Sequence, residues 1–324
     1  RKLDRNPYLR DQFSNNNNFI HTMSLLTIGT LAFDTIETPH GKADMVIGGS
    51  CTYISHAASY FTNNINLSAI VGGDFPQEEI KALEAKGVNM EGLQIKSDGK
   101  TFFWAGKYHE DMNQRDTLVT DLNVLEDFDP QLPESYKSSK YVMLGNLTPD
   151  IQNSVLDQLD GSQKLVAMDT MNFWIDIALD SLKKAIARVD ILTINDEEAR
   201  MLTGEYSLVN AAAAIHKMGP KYLVIKKGEH GCLLFSEGNM FYAPAMPLAQ
   251  VFDPTGAGDT FAGGFMGYLA KTDDISFDNM KKAIVYGSAM ASFCVEEFSI
   301  DRLKKLDQKQ IDKRVEAFRM LMAF

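Results

Sequence analysis

Cysteine is scarce in this chain, and no metal-binding spacing occurs. Cys51, Cys232 and Cys294 are odd in number and far apart, so no disulfide framework is implied. Neither a Cys-x-x-Cys nor a His-Glu-x-x-His run is present, and the six histidines are scattered; no zinc site is expected. No apolar run approaches the length of a membrane span, and mean hydropathy is -0.18. Positive charge is in deficit, with 32 Lys and Arg against 43 Asp and Glu and a net charge of -11. That balance argues against nucleic acid or an anionic membrane as the main partner. An anionic ligand must then be held by local N–H groups, a few Lys or Arg, or a metal. Internal repeats and Pro- or Ser-rich linkers are also lacking, so one main domain is expected from the 324 residues, enough to bury a large core. The chain reads as a soluble cytoplasmic protein.

What is present is organised around residues 251–270, VFDPTGAGDTFAGGFMGYLA. An Asp-Pro turn signal leads into Gly256-Ala257-Gly258-Asp259 and then a helical pattern, with Phe261, Phe265, Tyr268 and Leu269 on one apolar face. Gly263, Gly264 and Gly267 sit inside that helix, each costing roughly 1 kcal/mol against Ala. Close approach of a neighbouring backbone is the expected offset. The glycines ahead of Asp259 leave N–H groups at the positive end of a helix dipole, an arrangement that binds phosphate. A carboxylate inside an anion cradle is the unusual feature. As a helix start, Asp259 needs no further duty; as chemistry, it accepts a proton while the N–H groups hold a transferring phosphoryl group. The dipole is expected to keep it ionised and weakly basic.

The run DPTGAGDTFAGGF resembles the C-terminal signature of the PfkB/ribokinase family of carbohydrate and nucleoside kinases. The resemblance covers roughly residues 25–298. It implies a ribokinase-like α/β fold, a doubly wound, mostly parallel sheet with helices on both faces plus a small β-sheet lid. It also implies ATP and Mg²⁺ as cofactors, Asp259 as catalytic base, and Gly256, Ala257 and Gly258 as the anion hole.

Met23 is a plausible start, and residues 1–22, polar with an Asn run, read as an appended remnant or a loosely held arm. An apolar strand over 25–28 is followed by Asp34, which the resemblance places on sugar hydroxyls. Gly48 and Gly49 precede a helical pattern and resemble the family's Gly-Gly-x-x-x-Asn signature, with Tyr53 where Asn would help hold a sugar. That ring packs on a base or sugar face, or belongs to the core. A strand over 67–71 and a helix over 76–86 follow. Over 93–123 the pattern changes. Aromatic, alternating runs around Ser97-Asp98-Gly99 read as hairpins and, with 34–46, as the lid. Asp98-Gly99-Lys100-Thr101 is no P-loop, because Gln94 stands where the first Gly is required. Arg115 in this stretch is a surface residue or reaches an anionic or hydroxyl-rich substrate.

From Lys140 strands over 141–144, 165–168, 191–194 and 222–225 alternate with helices near 150–159, 175–188, 195–202 and 210–218, implying a parallel sheet. Polar residues at strand ends face the ligand crevice of such a sheet: Asn146, Asp169 and Asn172, then Asn195 and Glu198. The last two are similar to the family's Asn-x-x-Glu motif, which orders Mg²⁺ through water. Lys226, Gly228 and Gly231 occupy the family's Thr-x-Gly-x-x-Gly nucleotide position, with Lys where Thr is commoner. Asp253 and Thr255 lie where relatives bind an activating monovalent cation such as K⁺. A small-residue helix over 283–295, carrying Ser288, resembles the one beside the adenine pocket, and a charged amphipathic helix over 301–324 closes the chain. The reading is an ATP-dependent kinase domain over 23–300, phosphorylating a hydroxyl of a small sugar. The alternatives are a nucleoside acceptor or a non-catalytic regulator on the same fold. A homodimer through the lid strands is expected from the family.

Overall fold

The computed structural model describes residues 23–323; the leader expected over 1–22 lies outside them. The short apolar runs form strands because they are covered on both faces, where alternation is not needed. The chain enters through β1 (Leu25–Ile28), leaves the main sheet for the hairpin β2 (Ala32–Thr38) and β3 (Gly41–Gly48), and returns through helix α1 (Ser50–Ala58) to β4 (Ile65–Gly72). Helix α2 (Gln77–Glu84) leads to the edge strand β5 (Val88–Lys96), and β6 (Phe103–Tyr108) with β7 (Arg115–Asp121) makes a second excursion. Regular alternation follows: β8 (Tyr141–Leu144), α3 (Pro149–Gln158), β9 (Leu165–Asp169), α4 (Asn172–Ile177), α5 (Leu179–Ile186), β10 (Ile191–Asn195), α6 (Asp196–Thr203), α7 (Leu208–His216) and β11 (Tyr222–Lys226). An antiparallel pair, β12 (Cys232–Ser236) and β13 (Asn239–Ala243), precedes α8 (Ala257–Thr272), α9 (Phe277–Cys294), α10 (Asp301–Lys304) and α11 (Gln308–Met322).

The main sheet runs β13-β12-β11-β10-β9-β8-β1-β4-β5, parallel from β11 to β5. Alternate side chains of each strand feed two separate cores. Leu25, Leu67, Met143, Ala167 and Val224 meet α1, α2, α8 and α9 on one face. Leu26, Val142, Val166, Leu192 and Leu223 meet α3, α5, α6 and α7 on the other. A smaller sheet, β3-β2-β6-β7, forms the lid; its central pair β2–β6 is parallel and the flanking pairs antiparallel.

The three glycines inside α8 have the role expected of them. A Cβ on Gly263 would lie 2.3 Å from the Ile54 carbonyl oxygen, and one on Gly267 2.8 Å from Ala58 Cα, so α8 packs backbone to backbone on α1. On its other side a Cβ on Gly264 would lie 3.1 Å from Gly287 Cα, so α9 also packs closely.

Several elements differ from the sequence reading, among them the helix expected over 283–295, which begins at Phe277. Residues 93–96, expected in the lid, belong to β5 of the main sheet, because that strand pairs with β4 along its length. The helix expected over 175–188 is two, broken at Ala178, where the backbone leaves helical geometry. The closing helix over 301–324 is likewise α10 and α11, separated where Asp307 starts a new capping box with Gln310. The hairpin β12–β13 was not expected; its runs are too short to stand out by period.

Gly263→Ala should therefore destabilise the protein by about 1–3 kcal/mol through overpacking, although Ala is the better helix former. The midpoint of urea unfolding reads this, and an unchanged or raised midpoint would contradict the close contact with α1.

Candidate active site

The parallel strands end together on one side of the sheet, where the chain turns polar. Lys226 ends β11 beside Asn195 of β10, and Asp169 ends β9 beside Thr193 of β10. Facing them is the N-terminus of α8, entered through Gly256 in the left-handed region (φ 73). Only glycine suits that turn on two counts: the positive φ, and the Tyr53 ring, which a Cβ would meet at 2.4 Å.

The anion cradle expected of Gly256, Ala257 and Gly258 is narrower than the motif suggests. Ala257 N–H donates to the Pro254 carbonyl at 3.2 Å, which closes the turn and removes that donor. The amides of Gly256 and Gly258 keep no partner among the described residues. In place of the missing donor stands Lys226, whose Nζ lies 3.2 Å from where a Cβ on Gly258 would be. Its ammonium donates to Asp169 Oδ2 at 2.7 Å. Burial works against the charge on Lys226, but Asp169, Glu198 and Asp259 outweigh it and raise its pKa.

Asp259, partly exposed at the crevice floor, departs from the expectation that the dipole would keep it weakly basic. Burial first and the Asp169 charge second push its pKa up to about 7, against the opposing pull of Lys226 and Arg115. One turn of helix dipole is worth at most a couple of kcal/mol, and desolvation of a carboxylate exceeds it.

Asp34 lies across from Asp259 in the glycine pair. Gly48 makes room for it, since a Cβ there would sit on the carboxylate, and the Gly49 N–H donates to it. Burial, then Asp253 and Asp259, raise Asp34 to about 8. Tyr53 does not line this pocket: it is 1 % exposed and its ring lies under Gly256. As the fourth residue of α1 it points inward with the helix, so the substrate-binding role is corrected to a core role.

The lid reaches over the crevice. Tyr108 Oη accepts a hydrogen bond from Thr255 Oγ1 at 3.2 Å, and Arg115, its ladder partner, lowers the pKa of Tyr108 and helps to hold down Asp259 and Glu198. Arg115, itself exposed, thus sits on the lid face that carries Tyr108. Trp104 is the ladder partner of Asp34. Its ring lies flat over Gly106, where a Cβ would clash at 2.1 Å, and its Nε1 donates to Thr117 Oγ1.

On the nucleotide side, Gly228 (φ 53) and Gly231 (φ 80) form the turn after β11. The lid's Asn113 Oδ1 would be 2.6 Å from a Cβ on Gly228. Ser288 on α9 bonds the Cys232 thiol. Asn195 and Glu198 cap α6 reciprocally: Glu198 N–H donates to Asn195 Oδ1 at 2.8 Å and Asn195 N–H to Glu198 Oε2 at 2.9 Å. One Glu198 oxygen stays uncommitted, and burial lifts this acid to about 7. Asp253 accepts from the amides of Thr255 and Ser299 through its two oxygens. Two expected residues are not brought into the site. Asn146 is engaged with Trp174 Nε1 and Met171 Sδ, and Asn172 is exposed, its Oδ1 accepting its neighbour's amide. Asp169, expected at the crevice from its strand end, is brought there, and so are Trp104 and Tyr108, to which the sequence assigns no role. Strand-end position points to Asp169; the two aromatics needed the lid's register.

Among known proteins, the family model for the pfkB family carbohydrate kinases matches residues 25–303. A cytidine kinase of Thermococcus kodakarensis is 32% identical over 250 residues, 75% of this chain and 87% of that protein. A nucleoside kinase of Methanothermobacter thermautotrophicus is 27% identical over 303 residues, covering 84% and 89%. The solved structure of a Burkholderia thailandensis nucleoside kinase in complex with inosine shares the fold, with a TM-score of 0.72 at 18% identity, over 91% of this chain and 96% of that one. With a family model matched along most of its length and the glycine turn, Asp259 and the strand-end residues gathered on one crevice, the chain belongs to the pfkB family of ATP-dependent kinases that phosphorylate a hydroxyl acceptor.

Proposed function

We propose that the acceptor is a nucleoside, in preference to a free sugar. The observation that carries this reading is Trp104. It is the ladder neighbour of Asp34 and shares a lid face with Tyr108 and Arg115, so an indole stands beside the carboxylate that would hold ribose hydroxyls. Base–aromatic stacking is worth about 1–3 kcal/mol, and Gly106 leaves the ring room to lie flat. The names of the two relatives, a cytidine kinase and a nucleoside kinase, support the same reading.

The γ-phosphoryl group would rest on the Gly256 and Gly258 amides and the Lys226 ammonium. Asp259 takes the proton as the acceptor oxygen bonds to phosphorus, the bond to the β-phosphate oxygen breaks, and ADP leaves with that electron pair. The lid excludes water from this step. Glu198, with one free oxygen, suits a Mg²⁺ that arrives on ATP and is reached through water; among the described residues no cluster of acids, His or Cys forms a metal cage. When bound, Mg²⁺ neutralises phosphate charge. A K⁺ beside Asp253 and Thr255 fits less directly, because both Asp253 oxygens already accept amides. The three free, buried thiols support a reducing, cytoplasmic setting. Among the described residues no helix is long and apolar enough to cross a membrane.

A second copy of the chain is the proposed partner at the lid, supported by the exposed edge strand β7 with Leu118 57% and Val119 40% exposed; light scattering should give twice the chain mass, and a single-chain mass at micromolar concentration would refute it.

Assayed for ADP release, cytidine, uridine, inosine and adenosine should outperform ribose and fructose by tenfold or more in kcat/KM, and saturation by a free sugar alone would overturn the reading. Trp104→Ala should raise the nucleoside KM about 5- to 150-fold with the KM for ATP little changed.

A base must be ionised to accept a proton. Because Asp259 titrates at about 7, kcat/KM should fall as pH drops through that value and level off above it. Asp259→Asn should abolish turnover while sparing ATP binding; a flat profile from pH 6 to 9, or an active Asn variant, would remove Asp259 from the base role.

A further inference from the structure

Around the start of α8 stand several acids: the charge of Asp169 acts on Asp259 and on Glu198, and that of Asp259 on Asp34. One ammonium, Lys226, is placed at the anion cradle, on a flexible four-carbon stem with three rotatable donors. In such surroundings its default partner would be Asp259, the carboxylate at the same helix start. A Lys226–Asp259 pair would occupy the oxygen that must accept the acceptor's proton and turn the ammonium away from the phosphate.

The structure holds Lys226 elsewhere. Its Nζ donates to Asp169 Oδ2 at 2.7 Å, in a pair with only 6% of the Asp169 side chain exposed. Asp169 itself is fixed from two directions. Its Oδ1 accepts the Thr170 amide at 2.9 Å, and its backbone carbonyl accepts Gln152 Nε2 at 3.0 Å, the same amide that ties Gly145. A buried carboxylate, one oxygen held by an amide and its backbone by Gln152, presents the other oxygen to Lys226 and sets the ammonium 3.2 Å from the Cβ position of Gly258.

We propose that Asp169 is a positioning residue for phosphoryl transfer: it holds the Lys226 ammonium in the anion cradle and off Asp259, so that the arriving γ-phosphoryl group meets a fixed cation and a free base. Lys226 supplies the third donor that Ala257 gives up to Pro254. As charge builds on the transferring oxygens, two of its N–H donors turn to them while the third stays on Asp169. This rests on ATP-dependent phosphoryl transfer and not on the acceptor's identity, so the test runs with whichever acceptor of the panel turns over fastest.

Asp169→Asn and Lys226→Met should each lower kcat about 100-fold, the scale of losing one preorganised donor, with the KM for ATP changed less than threefold. The double variant should lose no more than the worse single, because the two act as a unit. The urea midpoint of Asp169→Asn should stay near that of the parent. Three outcomes would overturn the proposal: losses that multiply in the double variant, a kcat recovered by raising Mg²⁺ alone, or a lowered unfolding midpoint with kcat unchanged in the folded fraction. If free sugars prove the acceptors, the nucleoside reading fails while this inference is still decided by the same cycle.

Discussion

The contact on which the site depends is the backbone approach of α8 to α1. Gly263 and Gly267 let α8 lie against Ile54 and Ala58, which brings the starts of the two helices side by side. Each start is a glycine turn: Gly48-Gly49 grips Asp34, and Gly256 opens the anion cradle. Tyr53, the inward-pointing residue of α1's first turn, fills the space beneath Gly256, so one ring sets the spacing of acceptor carboxylate and phosphate donors. A side chain at 263 or 267 would push the two turns apart. Interiors packed at crystal density pass such displacements on instead of absorbing them.

That geometry imposes an electrostatic cost the local sequence does not reveal. Asp34 at about 8, Asp259 at about 7 and Glu198 at about 7 are acids held above their ordinary range, chiefly by burial and then, for the two aspartates, by one another or by their neighbours. Their strain is concentrated where charge must arrive and move, the pattern expected of functional sites. On the proposed reading, a chain with a net charge of -11 would hold a polyanion through the amides of a helix start and one ammonium, which act at short range, where the overall field matters little.

Much of this was legible in the sequence for a definable reason. The strands of the main sheet are continuous apolar runs, and a run buried on both faces announces itself; β1 and β8 match the expected bounds residue for residue. Asp259 and its glycines were legible because a helix start with unpaired amides has a composition. What escaped are properties set by pairing at a distance. The fate of the Ala257 amide depends on the Pro254 carbonyl turning back, the basicity of Asp259 on its burial first and on the acid Asp169 second, and the membership of 93–96 on a pairing with β4. Tyr53 misleads for a different reason. Its position in the motif suggests a ligand, while the direction of its side chain follows from the phase of α1, which puts the fourth residue under the neighbouring turn.

Acceptor choice is the extreme case of the same rule. Asp34 and Trp104 stand far apart in the chain, and neither has a pattern that names the other. They become neighbours because β2 and β6 pair in parallel, an arrangement no tight turn can make; the two lid hairpins must first leave the main sheet separately and then meet. The face Trp104 shows to the crevice is fixed by that register and by the irregularity in β7 between the partners of Ala105 and Gly106, which restores Arg115 and Thr117 to the same side. A one-residue slip would turn the indole outward and leave Asp34 facing a backbone. On the proposed reading, acceptor choice in this chain rests on lid register, which is set apart from the glycine contacts of α8.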